Sequence, residues 1–101
     1  MVFCASVTYP VDTGRFDLEY FATRHAPMFA ELLGANCVRW EVHRPVAAPG
    51  APPPPFLAAA YFWVRSGEDF GRVLTEQGPA IYADIGEFSD TQPNRGWSEV
   101  L

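Results

Sequence analysis

The chain has 101 residues, enough for one domain spanning 1–101, and its 15% aromatic content implies a large core for that length. A formal net charge of −5, with no basic or aromatic stripe, argues against nucleic acid and anionic membrane as partners. No apolar run approaches the ~20 residues of a membrane span, and the opening Met1-Val2-Phe3-Cys4 lacks a signal peptide's basic flank and apolar stretch, so a cytoplasmic protein is expected.

In chain order, Val2–Tyr9 alternates as a strand, with Phe3, Ala5, Val7 and Tyr9 against Val2, Cys4, Ser6 and Thr8. Pro10–Gly14 is a turn. Asp17 then suits the N-cap of a helix running to Leu33, with Phe16 placed to staple onto Phe21 and Gly34 fit to end it. At roughly 100° per residue, Leu18, Phe21, Met28, Phe29, Leu32 and Leu33 fall within about 80° of His25. A titratable ring is therefore aimed where hydrocarbon belongs, and it must be hydrogen-bonded in a core or line a cavity. Pro27, two residues on, cannot donate to the Thr23 carbonyl and crowds it, which loosens the helix beside that histidine.

Asn36–Arg44 is a second strand, with Val38, Trp40 and Val42 on one face and Cys37, Arg39, Glu41 and His43 on the other. Its polar face suits an edge or a solvated side. Pro45–Pro55 holds six prolines and reads as a stiff, extended loop rather than as a ligand for another domain. Phe56–Arg65 is a third strand, apolar on both faces. Ser66 and Asp69 form a short capping box opening a second helix, which Gly78-Pro79 stops, with a further turn through Tyr82 and Ala83. Asp84–Asp90 is a connector, and Thr91–Val100 a last strand placed at an edge by Pro93.

The order β-α-β-β-α-β is the ferredoxin-like arrangement, an α+β fold with a four-stranded antiparallel sheet of order 4-1-3-2 and both helices on one face. Those helices can cover only one face of the third strand. A partner sheet is the economical cover for the other, so a homodimer is expected. The same order puts a strand between Cys4 and Cys37, a gap of roughly 9.5 Å, too wide for a disulfide. No cysteine–histidine pair has metal-ligand spacing and no glycine-rich cofactor fingerprint occurs, so neither metal nor cofactor is expected.

Two stretches carry a family resemblance along essentially the whole chain. They are Phe16-Asp17-x-x-Tyr20-Phe21-x-x-x-His25-x-Pro27 and Ala83-Asp84-Ile85-x-x-Phe88-Ser89-Asp90-x-Gln92-Pro93, the latter followed by Ser98-Glu99-Val100. In these the chain resembles the EthD family of the dimeric α+β barrel superfamily, whose name comes from an ethyl tert-butyl ether degradation system. The resemblance implies a ferredoxin-like protomer, a homodimer and a pocket between each sheet and its own helices, with the family's inward histidine at His25.

An imidazole in a dry pocket can move a proton alpha to a carbonyl without metal or cofactor, as isomerisation, dehydration or cyclisation require. The expected function is such acid/base chemistry on a hydrophobic carbonyl compound. The alternatives are a non-catalytic protein that binds a hydrophobic intermediate, and haem- or oxygen-dependent chemistry. One base needs a partner. Tyr9, Trp40, Tyr61, Trp63 and Tyr82 are candidates, and Tyr61, on the central strand, is preferred. The pocket is expected to be lined by Phe21, Met28, Phe29, Trp40, Trp63 and Tyr82. Asp84, Glu87 and Asp90 read as turn and cap residues around Gly86.

Overall fold

A computed structural model describes residues 1–101. The strands are β1 (Val2–Pro10), β2 (Cys37–His43), β3 (Phe56–Val64) and β4 (Asn94–Val100). They form one antiparallel sheet in the order β2-β3-β1-β4, the expected ferredoxin-like arrangement. The long, proline-rich link between β2 and β3 carries no helix or strand and turns at Gly50.

The first helix is interrupted. It consists of α1 (Leu18–Tyr20), a π-turn (Phe21–His25) and α2 (Ala26–Leu33). Asp17 caps it by accepting from the Tyr20 N–H at 3.1 Å, and Phe16 packs on Phe21 with ring centroids 5.5 Å apart. The Ala26 N–H bonds the Phe21 carbonyl, five residues back. Pro27, which has no N–H to give, follows immediately, so the loosening expected beside His25 takes the form of one wider turn. Gly34, at φ +61°, ends α2.

The second helix, α3 (Gly67–Ile85), differs from the expectation. It does not stop at Gly78-Pro79 but continues through Pro79 to Ile85. Ile81 and Ile85 are buried, and their packing outweighs the one hydrogen bond that Pro79 removes. Asp84 consequently stands on a helix, not in a connector. The Ser66 hydroxyl caps the start by accepting from the Asp69 N–H at 3.1 Å.

Both helices pack on the sheet face that carries Ala5, Ala58, Ala60, Phe62 and Val64. Phe29 of α2 meets Phe62 of β3 at 4.8 Å and Phe70 of α3 at 6.2 Å between centroids. A bulge between Cys37 and Arg39 moves Cys37 opposite Val64 and against the core, away from the polar face on which simple alternation puts it. Cys4 and Cys37 are unpaired, and burial raises both thiols above their ordinary value. The opposite sheet face carries Tyr61 and Trp63, 6.1 Å apart, with His43 against Tyr61 and Arg39 over Trp63. No helix of this chain covers it. None is long and apolar enough to cross a membrane.

Candidate active site between the helices and the sheet

The two sequence stretches singled out above meet in space. The strand-like bridge Phe16↔Ser89 and the bond from the Asp17 N–H to the Phe88 carbonyl (2.8 Å) tie the entry of α1 to the exit of α3. Arg15 reinforces the tie by donating to the Gly86 carbonyl at 2.7 Å, the Glu87 carbonyl at 3.1 Å and the Asp90 carboxylate at 3.3 Å. A cation there also meets the negative end of α3. Phe88 is fully buried between the two stretches, its ring 5.4 Å from Phe21 and 4.6 Å from His25.

This junction brings Asp84 beside His25. The imidazole Nδ1 lies 2.8 Å from one Asp84 carboxylate oxygen, and the Tyr20 hydroxyl donates to the other at 2.8 Å. His25 is 6% exposed. Burial holds its pKa below the ordinary value, and the hydrogen bond and charge of Asp84 offset part of that shift. The separate hydrogen bond that Tyr20 gives to Asp84 raises the Tyr20 phenol above its ordinary value. At neutral pH the ring is thus an uncharged imidazole with its Nδ1–H donated to Asp84, which leaves Nε2 with a free lone pair. No buried side-chain nitrogen or oxygen lacks a partner, and Nε2 has none, so it opens onto accessible space. That space is a cavity of about 500 Å³, lined by 21 residues of which 14 are hydrophobic, His25 among the remainder.

The cavity lies between α2, α3 and the sheet. Phe21, Phe29 and Tyr82 line it. Trp40 stacks on Phe62 at 6.3 Å from the outer edge of the sheet, and neither it nor Met28 reaches the cavity. Tyr61 and Trp63 stand on the opposite sheet face, because Tyr61 pairs with Ser6 while the helix-facing residues pair as Ala5↔Phe62 and Val7↔Ala60. Tyr61 therefore cannot meet His25. Tyr9, named only as one of five candidate partners and not among the expected lining residues, lines the same cavity and is 1% exposed. Burial pushes its phenol well above the usual range, against the pull of the Arg95 charge. Its hydroxyl has no partner within the chain and therefore, like Nε2, faces accessible space.

Asp84 is the residue beside His25 that sequence reasoning missed. Its signal was its place in the second family stretch, which the local appearance of a turn beside Gly86 masked. No group of three or more metal-ligating side chains converges anywhere in the chain.

The EthD domain matches residues 14–92, which include both halves of the site. An EthD-like protein from Ralstonia eutropha JMP134 is 36% identical, with a TM-score of 0.89 over 99% of this chain and 92% of that one. An EthD family protein from Bacillus halodurans C-125 is 18% identical, with a TM-score of 0.71 over 100% and 99%. A dimeric ferredoxin-like protein of unknown function from Thermobifida fusca YX shares the fold at 10% identity, with a TM-score of 0.63 over 98% and 90%. No curated protein matches the chain. With a domain match that spans the whole His25–Asp84 junction and a relative alike over nearly the full length, this chain belongs to the EthD family.

Proposed function

We propose that the chain binds a small, largely apolar carbonyl compound in the cavity and moves a proton on it through His25. The observation that carries this reading is the Asp84–His25 pair at 2.8 Å, with Nε2 left free on an apolar cavity. Asp84 fixes the tautomer, so Nε2 is the base. It removes a proton from the carbon next to the carbonyl and returns it at another position, the chemistry of an isomerase, dehydratase or cyclase. The Tyr9 hydroxyl donates to the carbonyl oxygen as negative charge grows there. Neither step calls on a metal or cofactor.

The active form in this reading is a homodimer, joined through the sheet face that bears Tyr61 and Trp63. The support is that face's uncovered aromatics and the description of the Thermobifida relative as dimeric.

The test uses 2-tetralone, an apolar ketone with acidic alpha protons, in deuterated buffer, with exchange followed by proton NMR. The wild-type protein should accelerate exchange, and His25→Ala should lower that acceleration by about 10²–10⁴-fold. Acceleration that survives His25→Ala rejects the role of His25. Saturable binding without any acceleration supports the carrier alternative instead.

A further inference from the structure

Arg95 is the one cation on the cavity wall, and no aspartate or glutamate lines that wall with it. Its guanidinium takes part in no ion pair of the chain. The aromatic ring of Tyr82 lies under it, 4.7 Å from the guanidinium carbon to the ring centroid. Arg95 pairs with Val7 across β4 and β1, so it stands on the helix-facing side of the edge strand.

Exposure gives the cavity a direction. His25, Phe21 and Tyr9 are almost wholly buried, whereas Tyr82 is 42% and Trp97 48% exposed. The cavity therefore opens between α3 and β4, with Arg95 at the opening and His25 deep within. An arginine resting on an aromatic ring keeps its planar face occupied and its edge N–H groups free, and those groups match a carboxylate in a bidentate fork. In a chain of net charge −5, a cation with no internal counter-ion is placed to bind an external one.

We infer that the ligand is an apolar acid, its body in the cavity and its anionic head, a carboxylate, held at the mouth by Arg95. This rests on the cavity-binding reading above and adds the class of ligand to it. A carboxylate held there leaves the apolar part of the molecule inside, facing Tyr9 and His25. Entry head-last also keeps the charge out of the apolar interior, where an unpaired ion is costly.

Isothermal titration calorimetry with 2-naphthylacetate and its neutral near-isostere 2-naphthylacetamide tests this. The wild-type protein should bind the acid about 10-fold more tightly than the amide, as one charge-assisted contact provides. The preference should shrink in high salt. Arg95→Gln should abolish the preference while the amide still binds, which also shows that the variant is folded, and Arg95→Lys should restore only part of it. Equal affinity for both probes in the wild-type protein, or a preference that survives Arg95→Gln, overturns the role of Arg95 alone. Binding of neither probe overturns the cavity-binding reading together with it.

Discussion

His25 and Asp84 are 59 residues apart in the chain, yet their side chains meet at 2.8 Å, where the first helix crosses the last turn of α3. The contact depends on three local features: the π-turn ahead of Pro27, the continuation of α3 past Pro79, and the backbone tie between the two stretches. It joins the one buried histidine to a carboxylate that also takes the Tyr20 hydroxyl.

Removing that carboxylate should destabilise the fold. Asp84→Ala leaves the buried Nδ1–H of His25 without its acceptor, at a cost of about 1–3 kcal/mol. Urea unfolding of the variant should show a lowered midpoint with an unchanged m-value. Asp84→Asn keeps one acceptor and should fall between the variant and the wild type. An unshifted midpoint in Asp84→Ala means that the pair contributes nothing to stability.

Stability should also depend on pH through His25. Its native pKa lies below the ordinary value, chiefly by burial. The unfolded chain therefore binds more protons as pH drops below about 6.5, and the native state loses stability through that range until the lowered native pKa is passed. Above it the contribution is level. Urea midpoints should fall between pH 7.5 and 5.5, and the fall should be shallower in His25→Gln. Both proteins retain His43, so the difference in slope isolates His25.

Phe88 should be among the most sensitive core positions. It is fully buried and contacts the rings of Tyr9, Phe16, Tyr20, Phe21 and His25. Phe88→Ala should cost about 3–5 kcal/mol by opening a cavity at the junction of the two helices. Thermal or urea unfolding measures this directly, and a loss below about 1 kcal/mol means that burial of Phe88 does not hold that junction together.

The two sheet faces give a paired test of tyrosine roles. Tyr9→Phe, which removes a hydroxyl facing the cavity, should slow 2-tetralone exchange about 10-fold or more, since a lost oxyanion donor commonly costs that much. Tyr61→Phe should leave the rate unchanged. The reverse pattern would return the role to Tyr61.

The opposite face should control assembly. Trp63→Glu puts a charge among Tyr61, His43 and Arg39. Light scattering at micromolar concentration should show a dimer for the wild-type protein and a monomer for this variant, because the new carboxylate must be desolvated at the seam while Arg39 already pairs with Glu41. A monomeric wild-type protein removes the dimer from the proposal.

Much of the fold was legible in the residues themselves. Alternation in β1 and β3, the Asp17 and Ser66 caps, the stop at Gly34 and the break beside Pro27 are local effects, set by neighbours a few positions away. The same local logic located His25 on an apolar helix face. It favoured Tyr61 for its place on the central strand, and it could not say which face of β3 the helices cover, because both faces are apolar. Nor could it carry α3 through Pro79, since the burial of Ile81 and Ile85 that holds that helix together is tertiary. Asp84 looked like a turn residue for the same reason. Periodicity determined where the titratable ring points; only long-range packing decided which carboxylate meets it, which tyrosine shares its cavity and which arginine stands at the mouth.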